Sequence, residues 1–303
     1  VADWLRDNRQ TIARAAGSAL ALILLVILLE EESGAEIISA LKRVNLWYFF
    51  AGIFTLLISR VFVSGRWHAL LRSAGVEISF WQSIKLTITG LFASNFLPTT
   101  IGGDVARLAG AIQLGYDQPT CLASLIADRL IGMLGMLFTL PFGLVPLLSS
   151  GNGVAQSAFW GTLYQKGFDF IKRTLEAFKI WYTKPLGLLA SLLATFGNMA
   201  FIFASLYLLT EGMGRHVPYW LLAGIWSAAY FPTLMPISFN GLVVQELSIT
   251  FLLSTIGGLD KPESLTIAIL IRLLFVIASL PGALFLPSIL AEMNKGKSVI
   301  RNS

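Results

Sequence analysis

Residues 185–209 read PLGLLASLLATFGNMAFIFASLYLL, 25 consecutive positions without a charged side chain. A helix rises 1.5 Å per residue, so about 20 apolar residues cross the roughly 30 Å of hydrocarbon in a bilayer. This stretch is long enough to do so. The rest of the chain agrees with it: of 303 residues 55% are hydrophobic and only 13% charged, about half the charge of a soluble domain, and the mean hydropathy is +0.73. A globule of this composition has too little polar side chain to cover its surface in water. Composition therefore argues against a soluble enzyme, a secreted disulfide scaffold, a disordered regulator and a nucleic-acid module, and predicts an all-α polytopic membrane helix bundle. With Cys121 as the single cysteine, neither an intrachain disulfide nor a thiolate metal cluster can be built. The formal charge of +5 is what membrane orientation alone places at the ends of apolar runs, so it says little about partners.

Outward from this run, further apolar spans lie at 15–29, 46–63, 130–148 (extended back to Cys121) and 264–291, the last interrupted by Arg272. Arg6, Arg9 and Arg14 precede the first, and Glu30, Glu31, Glu32 and Glu36 follow it. Positive charge stays inside, which predicts a cytoplasmic N-terminus. No small-residue cleavage site follows that run, so it reads as a retained helix rather than a signal peptide. Arg66, His68, Arg72 and Lys85 read as a second cytoplasmic basic cluster, with His68 and His216 in loops. Between 164 and 184, five basic residues interleave with Phe168, Ile171, Leu175 and Phe178 at helical spacing. That pattern suits an amphipathic helix on anionic head groups, or a solvated helix packed on its own protein. The predicted organisation is a single integral membrane domain over 1–303: a first half at 1–150, an interfacial connection at 150–184, a second half at 185–291 and a basic tail at 292–303.

Two uncharged stretches, 86–103 and 217–241, are poorly suited to a straight span, being broken near their ends by proline, glycine and small hydroxyl residues. Asn95-Phe-Leu-Pro98-Thr-Thr-Ile-Gly102-Gly103-Asp104-Val105 and Thr233-Leu-Met-Pro236-Ile-Ser238-Phe-Asn240-Gly241-Leu-Val243 align without a gap. In both, proline is followed by a small hydroxyl residue at +2, a large apolar residue at +3, Gly or Asn at +4 and Gly at +5. Proline removes a backbone donor and glycine permits a non-helical connection. At membrane depth the freed groups must face protein or a wet cavity. Matching interruptions in two halves point to an internal, inverted repeat with a binding site where discontinuous helices meet. A helix restarting after Gly103 or Gly241 would aim its N–H groups at an anion there. The alternative is a pair of proline kinks that serve packing alone.

Seven charges lie inside or at the edge of apolar runs: Arg60, Asp104, Arg107, Asp128, Arg129, Glu246 and Arg272. Each ionised group in a membrane core costs about 2.5 to 3.5 kcal/mol on insertion scales, so such residues are expected to be paired or to face a cavity. The functional reading is a polar groove in which Arg60, Arg107, Arg129 and Arg272 bind a lipid phosphate while Asp104, Asp128 and Glu246 hold them or carry protons. The alternatives are local. Arg60 is near enough to the boundary to snorkel, and Asp104 and Arg107, three apart, share a helical face and can pair. Asp128 and Arg129 are adjacent, so each needs a separate partner. No metalloprotease, P-loop or nucleophile-elbow motif is present, and neither a catalytic residue, a cofactor nor a metal site is expected.

The segments NFLPTTIGGDVAR (95–107), ADRLIG (127–132) and MPISFNGLVVQE (235–246), in this order, resemble the lysylphosphatidylglycerol synthetase transmembrane-region family. The resemblance implies an integral inner-membrane protein associated with flipping aminoacylated phospholipids or with glycolipid and isoprenoid-linked pathways. Two departures bear on it. The synthetases append a soluble aminoacyl-transfer domain, which the residues after Ala291 are not expected to form. Gln245 stands where the family often has arginine. The expected function is translocation of a phosphate-bearing lipid, with anionic membrane lipids as partners and either a second copy or a lipid-pathway enzyme as a protein partner. The alternative is a non-transporting accessory that anchors a glycosyltransferase or lipid-modifying enzyme.

Overall fold

The computed structural model describes residues 39, 42–95, 102–149, 184–234 and 243–285. Among them there are helices and no strands. In chain order they are α1 (Leu46–Ser73), α2 (Phe80–Ser94), α3 (Gly102–Gln113), α4 (Gln118–Thr139), α5 (Pro141–Ser149), α6 (Pro185–Gly212), α7 (Tyr219–Thr233), α8 (Val244–Thr255) and α9 (Lys261–Ser279), followed by a 3-10 turn, Leu280–Leu284. Four of these segments are long and apolar enough to cross a membrane: α1, α4, α6 and α9 with its 3-10 extension. Large apolar side chains stand exposed on their outer faces, including Trp47, Phe50 and Phe54 on α1 and Leu186, Leu189 and Leu193 on α6. A surface of that kind is suited to lipid rather than water. The span at 15–29, the amphipathic segment before Lys184 and residues 286–303 lie outside the described residues, as do Pro98, Pro236, Ser238, Asn240 and Gly241.

Local chemistry explains several helix starts. Asn45 accepts from the Trp47 amide, Ser79 and Gln82 form a reciprocal capping box, and Asp117 accepts from the Thr120 amide with Pro119 in the first turn. These groups satisfy amides that have no partner within the helix. Three boundaries differ from the sequence expectation. The span at 46–63 continues to Ser73, so Arg66, His68 and Arg72 belong to α1 rather than to a cytoplasmic loop. The span at 130–148 divides at Leu140, because Pro141 brings no amide hydrogen and opens a separate helix. The span beginning at 264 tightens into the 3-10 turn after Ser279.

The two halves match in length: 28 residues for α1 and α6, 15 for α2 and α7, 12 for α3 and α8. Their contacts are reciprocal. The most extensive contact joins α1 to α6; α4 packs on α6 as α9 packs on α1, and α5 packs on α7 as the 3-10 turn packs on α2. The α1–α6 pair runs antiparallel: a Cβ on Gly187, near the start of α6, would meet Ser73 at the end of α1, and one on Gly212, at the end of α6, would meet Tyr48 near the start of α1. Two hydrogen bonds mirror each other across this interface. Ser205 Oγ donates to the Gly52 carbonyl at 3.4 Å, and Ser191 Oγ donates to the Arg66 carbonyl at 3.4 Å. Counted from the starts of their helices, Ser205 and Arg66 hold the same position, as do Ser191 and Gly52. Ser59 and Asn198 also hold one position in their helices and bond to each other, Oγ to Oδ1 at 2.7 Å. The larger apolar core lies in the second half, around Leu206, Leu222, Ile225 and Leu274.

Candidate functional site

Between these helices lies a cavity of about 330 Å³, walled by α1, α2, α3, α4, α6, α7, α8 and α9. Five arginines line it: Arg60, Arg66, Arg107, Arg129 and Arg272. Asp104 and Asp128 line it as well, and Glu246 stands behind Arg272 in a small adjoining pocket. The seven charged residues singled out in the sequence therefore come together, with Arg66 added to them.

On one side the charges form a continuous chain. Asp128 accepts from Arg66 Nε at 2.7 Å and Nη2 at 3.1 Å, and from Arg107 Nη1 at 3.1 Å. Arg107 Nη1 reaches on to Asp104 at 3.2 Å, and the other oxygen of Asp104 accepts from Arg129 Nε. Asp128 is only 2% exposed, so two guanidinium groups stand where water would otherwise solvate its carboxylate. Shape supports the chain as much as charge. Arg107 lies over the ring of fully buried Trp67 at 4.2 Å, and the Trp67 indole donates to Ser124 at 3.0 Å. A Cβ on Gly90 would stand 2.6 Å from Arg107 Cγ, and one on Gly132 2.9 Å from Arg66 Nη1, so glycine is what lets both arginines lie where they do. The motif segments GGDVAR and ADRLIG thus mesh through Asp104, Arg107, Asp128, Arg129 and Gly132.

On the other side Arg272 Nε pairs with Glu246. Arg60 sits on α1, 5% exposed, with its guanidinium over the Phe275 ring at 4.6 Å. It does not snorkel to a boundary. Phe275 in turn stacks on Trp226 at 5.3 Å. Asn95 lines the cavity and donates to Ser279 at 2.8 Å, and Gly103 lines it at the start of α3, beside buried Gly102. His68 lies within α1 against Ser83, while His216 is in a loop, bonded to Glu211. Neither belongs to the cavity. Among the described residues no group of His, Cys, Asp and Glu could hold a metal ion.

The two acidic–basic pairs occupy matching places. Asp104 is the third residue of α3 and Glu246 the third of α8. Arg129 follows the N-cap position Asp117 by the same twelve residues that separate Arg272 from Asp260, and Pro119 and Pro262 stand at the same point in between. The gapless alignment through Pro98 and Pro236 sets Gln245 opposite Arg107; the helix starts instead set Glu246 opposite Asp104. The repeated Asp-x-Pro with arginine twelve residues after the aspartate is the sequence signal that carried this register. Arg66 was missed because it was counted with a surface cluster. Its signal was position: it falls on the stripe of Val63, Trp67, Leu70 and Leu71 that packs inward. Asn198, Tyr230 and Phe275 also line the cavity and, being uncharged, carried no signal in an apolar sequence.

The arrangement suits the capture of an anion inside a membrane bundle. A search of the curated proteins finds no match. The family model described as Lysylphosphatidylglycerol synthase TM region matches residues 14–165. That range holds α1 to α5 and with them the whole chain of ion pairs from Arg66 to Arg129. The protein is a membrane protein associated with lipid handling, and it belongs to the family of the lysylphosphatidylglycerol synthase transmembrane region.

Proposed function

We propose that the protein translocates a phosphate-bearing lipid across the cytoplasmic membrane, the head group passing through the arginine-walled cavity while the tails stay in the bilayer. One observation carries this reading: five guanidinium groups converge on one cavity among apolar helices, where charge is expensive and is rarely retained without use. Phosphate is the natural ligand of such a wall, since each guanidinium offers a fork of donors matched to its oxygens. The matched lengths and reciprocal contacts of the two halves support a second element of the reading, that α1 to α5 and α6 to the 3-10 turn are inverted repeats. Repeats of that kind rock around a central site in secondary transporters. In this scheme the N-terminus is cytoplasmic, the carboxylates Asp104, Asp128 and Glu246 position the arginines, and the chain performs no covalent chemistry.

The test is a flip assay in liposomes with a fluorescent anionic phospholipid and dithionite as quencher. Wild-type protein accelerates loss of inner-leaflet fluorescence, and Arg129→Ala and Arg272→Ala slow it with the fold retained. Equal rates for all three across several lipid classes would favour the second reading, a membrane accessory for a lipid-modifying enzyme. That reading draws on the fact that four of the five arginines already have carboxylate partners.

A further inference from the structure

The cavity charges do not balance, and the surplus has an address. Among the described residues five arginines face three carboxylates, which leaves two positive charges. The stretches 96–101 and 235–242, which join α2 to α3 and α7 to α8, contain no ionisable residue, so they do not alter this count. Four arginines have carboxylate partners, Arg66 and Arg107 in Asp128, Arg107 and Arg129 in Asp104, and Arg272 in Glu246, although Arg107 Nε and Nη2 and Arg272 Nη2 are buried without a hydrogen-bond partner among the described residues. Among the described residues Arg60 forms no ion pair. It is nevertheless buried, its Nε has no hydrogen-bond partner, and its cationic face rests on Phe275. A buried guanidinium without a carboxylate is a poor device for stability. Beside it in the cavity wall, Asn198 accepts from Ser59 through Oδ1, which leaves the Asn198 amide nitrogen as a donor.

The carboxylates argue just as strongly about what does not bind. Both oxygens of Asp128 and both of Asp104 are engaged by arginines, and Glu246 uses one on Arg272 while the other is buried and without a hydrogen-bond partner among the described residues. A ligand ammonium group entering the cavity would meet a surplus of guanidinium groups, and the one unengaged carboxylate oxygen, on Glu246, is buried in the adjoining pocket behind Arg272. We infer that Arg60 is the anion-binding residue of this cavity and that its ligand is a head group ending in a phosphate of charge near −2, a phosphomonoester or diphosphate, without an ammonium group. The inference rests on the transport reading only in taking the phosphate to be lipid-borne. It separates the ligand from zwitterionic lipids and from aminoacylated lipids, whose amines would add positive charge to a cavity that already has a surplus.

The experiment uses the full chain in detergent. Binding is followed by native mass spectrometry and by melting temperature, with short-chain phosphatidic acid, phosphatidylglycerol, phosphatidylcholine and lysylphosphatidylglycerol, and with inorganic phosphate and pyrophosphate alone. Phosphatidic acid is expected to bind about ten-fold more tightly than phosphatidylglycerol, and the two ammonium-bearing lipids more weakly still. Arg60→Gln is expected to abolish the preference for phosphatidic acid, and Arg60→Lys to keep part of it. Without lipid, Arg60→Gln should melt no lower than wild type, because it removes an unpaired buried charge; an arginine kept for packing would give the opposite. A lower melting temperature with unchanged lipid preference, or tighter binding of lysylphosphatidylglycerol than of phosphatidic acid, overturns the assignment. Inorganic phosphate or pyrophosphate that stabilises as well as phosphatidic acid, in an Arg60-dependent way, supports the anion site and overturns its lipid-borne source. Arg60-dependent binding of phosphatidic acid together with no flip in liposomes leaves the anion site standing and removes the transport reading instead.

Discussion

The two acidic–basic pairs sit at matching positions but in different company. In the first half, Asp104–Arg129 is one end of a five-residue chain that runs through Arg107 and Asp128 to Arg66. In the second half, Glu246–Arg272 stands as a pair, and the residues at the places of Arg66, Arg107 and Asp128 are Ser205, Ile249 and Ile271. The space is used differently too. Gly132 leaves room for the Arg66 guanidinium, whereas its counterpart Phe275 fills the matching room and offers its ring to Arg60. One half has become a rigid electrostatic frame, and the other keeps a simple pair and lends a surface to a cation without a carboxylate. The family match over 14–165 covers the framed half.

The comparison breaks first at Asp128. Removing it takes from Arg66 its carboxylate partner and from Arg107 one of two, so Asp128→Ala is expected to destabilise by about 5 kcal/mol, the upper end for a broken buried pair. Thermal unfolding in detergent reads this, and a loss within 1 kcal/mol would mean that water reaches the frame. The equivalent insult in the second half is smaller. Glu246→Gln exposes a single guanidinium to an unmatched environment that is partly open, the Arg272 side chain being 22% exposed, and about 3 kcal/mol is expected. Charge reversal sharpens the contrast. Glu246→Arg combined with Arg272→Glu should recover most of the stability lost by either change, while Asp104→Arg with Arg129→Glu should not, because Asp104 also serves Arg107. Double-mutant cycles on both pairs decide it.

Next comes shape. Gly132→Ala forces a methyl group against Arg66 and is expected to cost about 1 to 3 kcal/mol. Phe275→Leu is expected to leave the frame intact and to weaken anion retention through Arg60. The smallest effect separates the helix caps. Thr120 donates to Asp117 from both its backbone and its hydroxyl, which holds the Asp117 carboxyl below the ordinary aspartate value. Asp260, at the matching place, makes no side-chain cap bond. A depressed carboxyl pKa contributes stability above the unfolded value and loses it as pH falls through the folded one. Asp117→Ala should therefore lower the melting temperature near neutral pH and lose that effect in acid, whereas Asp260→Ala removes no cap bond.

Much of the site was legible because charge stands out against apolar sequence. Seven charged residues in lipid-length runs were enough to predict a common polar groove, since unpaired ions at membrane depth are costly. The pairing pattern was not legible. Whether Arg107 meets Asp104 alone or bridges to Asp128 depends on how α3 packs against α4, and local spacing is silent on that. Arg66 escaped notice for a related reason: apolar runs were closed at the first cluster of charge, and α1 continues through that cluster because Trp67, Leu70 and Leu71 keep packing inward. Proline at 141 divided a run that hydropathy alone read as continuous.

The surplus of two positive charges also has an electrical meaning. Arginine remains protonated at every physiological pH, so the wall cannot be discharged by a proton gradient. In a transporter built on this cavity, a head group of charge −2 makes the loaded cavity neutral, while the empty one carries its surplus on the return. Each elementary charge crossing the full field changes energy by about 2.3 kcal/mol per 100 mV, so membrane potential would act on the return step and not on the loaded one. Liposomes polarised with potassium and valinomycin distinguish the steps: a single turnover should be indifferent to voltage and repeated turnover should depend on its sign, whereas a voltage-sensitive first turnover would mean that the loaded cavity is not neutral.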